Sequence, residues 1–378
     1  MPVKTMRKRC LQRTYSEPQV QFFLHSFWVI PLFSVQTLSA QTFSGGSGTQ
    51  TDPYLISLPN DLVELSAYET SGEYFVLTNS IDMSNVANFI PIGTSSSFYG
   101  NFDGKGFSIK NLSIIDTVST SPRVNALFGR VRGATISNVI LDGASFSCNG
   151  TAAALVGSIA NRDSSLYMDK CIVLNCTLKG SDVTGLVAST LGKINISNSH
   201  VINATIEGIT AAKGFCGGVT NSNCHITNSS VRYSTITGSG SNSTVGGFVS
   251  LINYGAKISN SYVSNCVLSC RYIGGFVYSS GEGEVNNCGV QATLSQTHAS
   301  GATAGFALMC GSTGATFLFS NSYAACEFKS VSNYDYIAAF GGVASNGIVT
   351  ATNCYYKEDI ILAGGNNSNA IDKSEPRF

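Results

Sequence analysis

The residues that usually do chemistry are thinly spread in this chain. Beyond residue 40 the histidines are His200, His225 and His298, and His200 has no paired ligand close by in sequence. A metal or catalytic role for a lone imidazole needs such a partner. The aspartates Asp103, Asp116, Asp142, Asp163, Asp169 and Asp182 are scattered. Acid–base work or calcium binding needs them clustered. Asp142, Asp169 and Asp182 come from neighbouring repeats and can approach one another, although turns are the simpler setting for aspartate. The expectation is therefore no catalytic residue, no cofactor site and no metal site.

What recurs at regular spacing is amide and hydroxyl. Asn138, Asn198, Asn228, Asn260, Asn287, Asn321 and Asn353 each end a short β-rich run, and Lys170 fills the one gap in the series. The residues just before them are Ser137, Ser197, Thr227, Ser259, Ser320 and Thr352, completed by Asp169 and Asn286. Two residues after the asparagine stand His200, Tyr262, Tyr323 and Tyr355. Aromatic rings beside hydroxyls can stack on sugars and bond to them. These two rows form the candidate surface-binding stripe. A flat hydroxyl row is also the device of ice-binding solenoids.

Something must hold these rows in register, and the repeat itself supplies it. The spacing between successive copies is 27 to 34 residues, the range of solenoid proteins. Each copy follows an apolar anchor such as Gly214-Phe215-Cys216-Gly217, Gly247-Phe248-Val249-Ser250 or Gly275-Phe276-Val277-Tyr278. A third short run follows, as at Thr205-Ile206 or Val267-Leu268. No unit has a helix-length apolar pattern. Three short strands per unit, stacked coil on coil, make an all-β, right-handed parallel β-helix (a β-solenoid) with about eight aligned coils after an N-terminal cap and lead-in. Ile196 and Val201 lie five apart, so strict alternation cannot bury both. A bend at Asn198 would. Stacked asparagines at that bend would bond to one another, and Lys170 should interrupt them. The run Pro59 to Glu69 has helical spacing and is expected to cap the first coil, whose edge would otherwise be open.

There are twelve cysteines. Cys171, Cys288 and Cys354 take the slot of Ser199, Ser229, Ser261 and Ser322, and Cys176 and Cys266 that of Ala144, Ala204 and Ser234. Swapping with Ser and Ala points to small buried thiols rather than a disulfide framework. Sequons occur at Asn111, Asn149, Asn175, Asn195, Asn203, Asn228, Asn242 and Asn366. They matter only in a host that glycosylates, and a sugar on Asn228 would conflict with a ladder there.

Charged residues make up 12% of the chain and the formal net charge is zero, which disfavours nucleic acid and anionic membrane as partners. The start differs. Lys4, Arg7, Lys8, Arg9 and Arg13 precede an apolar stretch from Val20 to Val35, and Leu38-Ser39-Ala40 offers a cleavage site. That is the pattern of a secretory signal, and no later segment is apolar enough to span a bilayer. The expected organisation is a signal peptide over 1–40, cap and first coils over 41–122, repeat β-helix over 123–360 and a tail over 361–378.

The repeats resemble GLUG-motif repeats of secreted and surface proteins. The resemblance rests on the ordered set Gly46-Ser47-Gly48-Thr49, Tyr74-Phe75-Val76-Leu77, Ile81-Asp82-Met83-Ser84, Phe89-Ile90-Pro91-Ile92-Gly93, Phe98 to Ile109 and the anchors above, together spanning about residues 44 to 365. It implies a right-handed β-helix and adhesin-like settings. Such repeats accompany immunoglobulin-cleaving zinc peptidases, but that activity needs an H-E-x-x-H helix and the sequence has none. The expected function is a non-catalytic extracellular or cell-surface β-helix for adhesion, ligand (including glycan) binding or structural display. Its expected partners are surface glycans or host and cell-surface proteins. The alternatives are a polysaccharide lyase or hydrolase-like β-helix enzyme and an ice-binding solenoid.

Overall fold

Each repeat closes one turn of a parallel β-helix. In the computed structural model the described residues are 43–117, 124–189, 192–298, 301–310, 316–329, 336–344 and 348–357. The sequence-predicted signal segment over 1–40 and tail over 361–378 lie outside them. The strands form sheets of eleven, twenty-two and eight strands, and their pairings are parallel.

The coil that begins at Val156 shows the plan. Val156–Ile159 lies in the eight-stranded sheet and Ser165–Asp169 in the eleven-stranded one. A bend at Lys170 leads to Ile172–Leu174, and a second bend at Asn175 to Thr177–Thr184. Both of those strands belong to the twenty-two-stranded sheet, which is thus folded along its length. The expected three strands per unit are too few. The third short run continues into a further segment before the next anchor, as Thr205–Lys213 does ahead of Cys216–Val219.

The core explains the anchor. Phe215, Phe248, Phe276 and Phe306 are fully buried and point into the coil. Successive ring centroids are 4.5, 4.7 and 4.9 Å apart, with interplanar angles of 7, 8 and 22°. That spacing is the strand-to-strand distance of a sheet, so the coil rise places the rings face over face. The glycine before each phenylalanine is needed because neighbouring coils meet there. A Cβ on Gly247 would lie 1.9 Å from the Gly275 carbonyl oxygen. In the earlier coils Leu127, Leu155 and Leu186 fill the same row, also fully buried.

At the N-terminal end the helix Pro59–Ala67 adds Leu62 and Leu65 to this core, beside Phe43, Ile56 and Phe75. Asp61 sets its start, accepting hydrogen bonds from the Ser57 and Leu58 amides at 2.7 and 2.8 Å and from Ser44 Oγ at 2.7 Å. The expected cap is therefore in place.

The eleven cysteines among the described residues are buried free thiols. Burial pushes Cys171 and Cys216 up to about 12, so they stay protonated and inert. Cys171, Cys288 and Cys354 do what serine does in the same slot. Ser199 Oγ donates to the Ser197 carbonyl at 2.8 Å, and Cys288 Sγ to the Asn286 carbonyl at 3.3 Å. The Ser229 and Ser261 hydroxyls also accept from the amide of the preceding coil, at 3.3 Å each.

Candidate functional site

The surface stripe is built on the first bend. The eight residues there, Asn138, Lys170, Asn198, Asn228, Asn260, Asn287, Asn321 and Asn353, all have φ between 50 and 54°. Asparagine suits this left-handed conformation better than most residues, because its short amide bonds locally. The amides also bond between coils. Asn287 Nδ2 donates to Asn260 Oδ1 at 2.7 Å, Asn353 Nδ2 to Asn321 Oδ1 at 3.2 Å, and Asn228 Nδ2 to Asn198 Oδ1 at 3.4 Å. At Lys170 the backbone bend persists while the side-chain ladder is spliced. Asp169 takes over as acceptor, receiving Asn198 Nδ2 and Ser197 Oγ at 2.7 Å each, and pairs with Lys170 at 3.6 Å.

This bend puts Ile196, Ser199 and Val201 all inside. It also brings the two predicted rows together. Ser137, Asp169, Ser197, Thr227, Ser259, Asn286, Ser320 and Thr352 stand in one outward column. Their polar groups are partly spent on one another: Ser259 Oγ donates to Thr227 Oγ1 at 3.2 Å, and Asn321 Nδ2 to Asn286 Oδ1 at 3.0 Å. Across the bend runs the second column, His200, Ser230, Tyr262, Gly289, Tyr323 and Tyr355. Tyr323 lies across Gly289, where a Cβ would come within 2.3 Å of its ring. Burial, and then the neighbouring Tyr262, raise the Tyr323 phenol above its usual range. Tyr262 is 36% exposed. The result is an aromatic strip over the four coils from Tyr262 to Tyr355, beside a hydroxyl strip.

Sequence reasoning missed the second bend. Asn111, Gly143, Asn175, Asn203, Tyr233 and Asn265 hold it, again at φ of 52 to 67°. Asn203 Nδ2 donates to Asn175 Oδ1 at 2.7 Å, and Asn175 Nδ2 to Asp142 Oδ1 at 2.9 Å. The signal was present: from Gly143 to Asn265 each bend-two residue follows its bend-one partner by five positions. Asn111, Asn175 and Asn203 had stood out only as sequons, and their amides are engaged here. Among the other sequons, Asn149 Nδ2 bonds the Thr117 carbonyl and Asn242 Oδ1 accepts from Arg271 at 2.6 Å. Asn366 lies outside the described residues.

The expected approach of Asp142, Asp169 and Asp182 does not occur. Asp169 serves the first bend and Asp142 the second, while Asp182 is ion-paired to the nearly buried Lys213 further along the coil. The bends turn these aspartates onto different faces. Among the described residues no group of three or more His, Cys, Asp or Glu is placed to hold a metal ion. His200 Nδ1 lies 2.9 Å from Ser230 Oγ, and burial followed by the charge of Arg232 lowers its pKa. A cavity of about 320 Å³ near the N-terminal end is lined by Asn88, Ile90, Ile115, Asp116, Asn125 and Arg130, among others. Asn125 is 4% exposed there and its Nδ2 lies 3.3 Å from Asp116 Oδ2. No helix among the described residues is long and apolar enough to cross a membrane.

No family model matches the chain. It is similar to Halomucin of Haloquadratum walsbyi, 29% identical over 184 residues, covering 46% of this chain and 2% of that protein. It is also similar to a Gly-rich membrane protein of Evansella cellulosilytica, 29% identical over 137 residues, covering 34% of this chain and 15% of that protein. The chain thus spans a small fraction of the length of either relative. Among solved structures it is similar to one assigned as an immunoglobulin A1 protease from Bacteroides ovatus, with 21% identity and a TM-score of 0.44, covering 89% of this chain and 84% of that one.

Proposed function

We propose that this protein is a non-catalytic extracellular or cell-surface β-helix that binds carbohydrate along the first bend. The observation that carries this reading is the registered pair of columns, with Tyr262, Tyr323 and Tyr355 beside Ser259, Ser320 and Thr352. An aromatic face gives a sugar ring an apolar platform, and flanking hydroxyls and amides give it hydrogen bonds. The coils repeat this arrangement along the axis, which suits a chain-like ligand better than a compact one. The GLUG-like character of the repeats, the predicted export signal and the names of the two relatives support the surface setting in this reading and name no ligand. A glycan array probed with the full chain, run beside a reducing-end assay, tests the proposal. Binding without product release is expected. Released product would replace the binding reading with a carbohydrate-active enzyme, and an array with no bound glycan would remove the carbohydrate partner.

A further inference from the structure

The same face carries a cation that enters no ion pair found among the described residues. Arg232 is the third residue of the strand Ser230–Arg232, in register with Ile202 on one side and Ser264 on the other. It is half-buried, it makes none of the ion pairs found among the described residues, and its Nε is buried without a hydrogen-bond partner. Its nearest column neighbours, Leu174, Ile202, Ser264 and Gln291, are uncharged, and the first carboxylate in the column, Asp142, lies three coils away. The nearby carboxylate one segment on, Glu207, is held by Lys179 at 2.9 Å. Burial, and after it the charge of Arg232, depress the nearby His200 imidazole.

Next to Arg232 stands a second irregularity. Tyr233 occupies the second bend at φ 54°, a slot held by asparagine or glycine in the other coils that have it, and its side chain is 59% exposed. A bulky residue in the left-handed region is strained, and strain of this kind is retained where a side chain is needed. Tyr262 stands on the next coil in register with Ser230, two residues before Arg232.

We infer that Arg232, with Tyr233 and Tyr262, forms a subsite for an acidic sugar, whose carboxylate the guanidinium takes while the rings hold the pyranose faces. The inference rests on the carbohydrate-binding reading and names the class of sugar. A planar carboxylate matches the guanidinium fork with two parallel hydrogen bonds, which an ammonium cannot supply. Sheet spacing along the axis is about 4.8 Å, close to the length of one extended sugar unit. Consecutive sugars of a polyuronate therefore meet consecutive coils, with one of them over Arg232.

The test is titration of the full chain with polygalacturonate and with its methyl ester, which keeps the backbone and removes the charge. The expected result is at least tenfold tighter binding of the acid form, a loss of that advantage in Arg232→Gln, and partial retention in Arg232→Lys. Tyr233→Asn should weaken binding several-fold while leaving the thermal midpoint unchanged or higher, whereas a merely structural tyrosine would lower the midpoint and spare binding. Equal binding of both polymers, unaffected by Arg232→Gln, would overturn the acidic-sugar subsite and leave the carbohydrate reading standing. Binding of heparin but not polygalacturonate would overturn the carboxylate assignment in favour of sulfate. Failure of every array glycan and both polymers would take down the carbohydrate reading itself.

Discussion

The two bends of each coil adopt the same backbone and fill it differently. At the first bend all eight residues are left-handed and seven of them are asparagine. At the second, Gly143 and Tyr233 interrupt the asparagines, and after Asn265 the strand loses the extra residue, so that Ser264 and Cys266 face consecutive residues of the next coil. A left-handed turn is thus a backbone demand that several residues can meet. The near-uniform asparagine of the first bend answers a second demand, the side-chain ladder between coils. The bend with the more uniform asparagine series also carries the aligned hydroxyl and aromatic columns.

That difference can be broken by substitution. The largest effect is expected for Asn260→Ala, which forfeits both the left-handed preference and the acceptor for Asn287, for a loss of about 2 to 3 kcal/mol in urea unfolding. A loss under about 1 kcal/mol would mean that the ladder and the bend are not separate contributions. Asn260→Gly keeps the turn and removes the ladder bond, so about 1 kcal/mol should be lost. If glycine proved as damaging as alanine, the backbone would not be the shared demand. At the second bend the sign should reverse. Tyr233→Gly relieves the left-handed strain and should raise stability by roughly 0.5 to 1 kcal/mol, measured by the same urea midpoint.

A smaller effect comes from acid. Burial alone would raise Asp169, but the hydrogen bonds from Ser197 and Asn198 and the charge of Lys170 outweigh it and hold the carboxyl below its usual range. A carboxylate lowered on folding stabilises the folded chain above the ordinary aspartate value near 4. That contribution disappears as pH falls through the lowered value. Asp169→Asn should be less stable than the wild type at pH 7 and converge with it below about pH 4, which flattens the acid limb of the stability–pH curve. An unaltered acid limb in the variant would show that the splice at Lys170 does not depend on charge.

Much of this architecture was legible because solenoid physics writes itself into periodic sequence. The Gly-Phe-Val anchor recurs since each coil must fill the same core column at the same rise. The asparagine recurs since each coil must turn at the same corner, and cysteine reveals its buried slot by alternating with Ser199 and Ser229. The second bend was hidden because glycine, asparagine and tyrosine share no chemistry, only a tolerated φ. Arg232 was hidden for a different reason. Its isolation depends on which neighbours lack a carboxylate across three coils, and that is a property of register rather than of any one repeat. The three aspartates misled because closeness between coils says nothing about which face each bend turns them toward.

The hydrogen bonds of all three sheets run from coil to coil along the length of the β-helix. A tether at one end and a captured ligand at the other would load them in tension, rung by rung, instead of in shear across many at once. Each rupture would release one coil of about 30 residues, roughly 100 Å of extended chain, before the next coil takes the force. Under pull, such a molecule would lengthen in measured steps and keep its remaining coils folded.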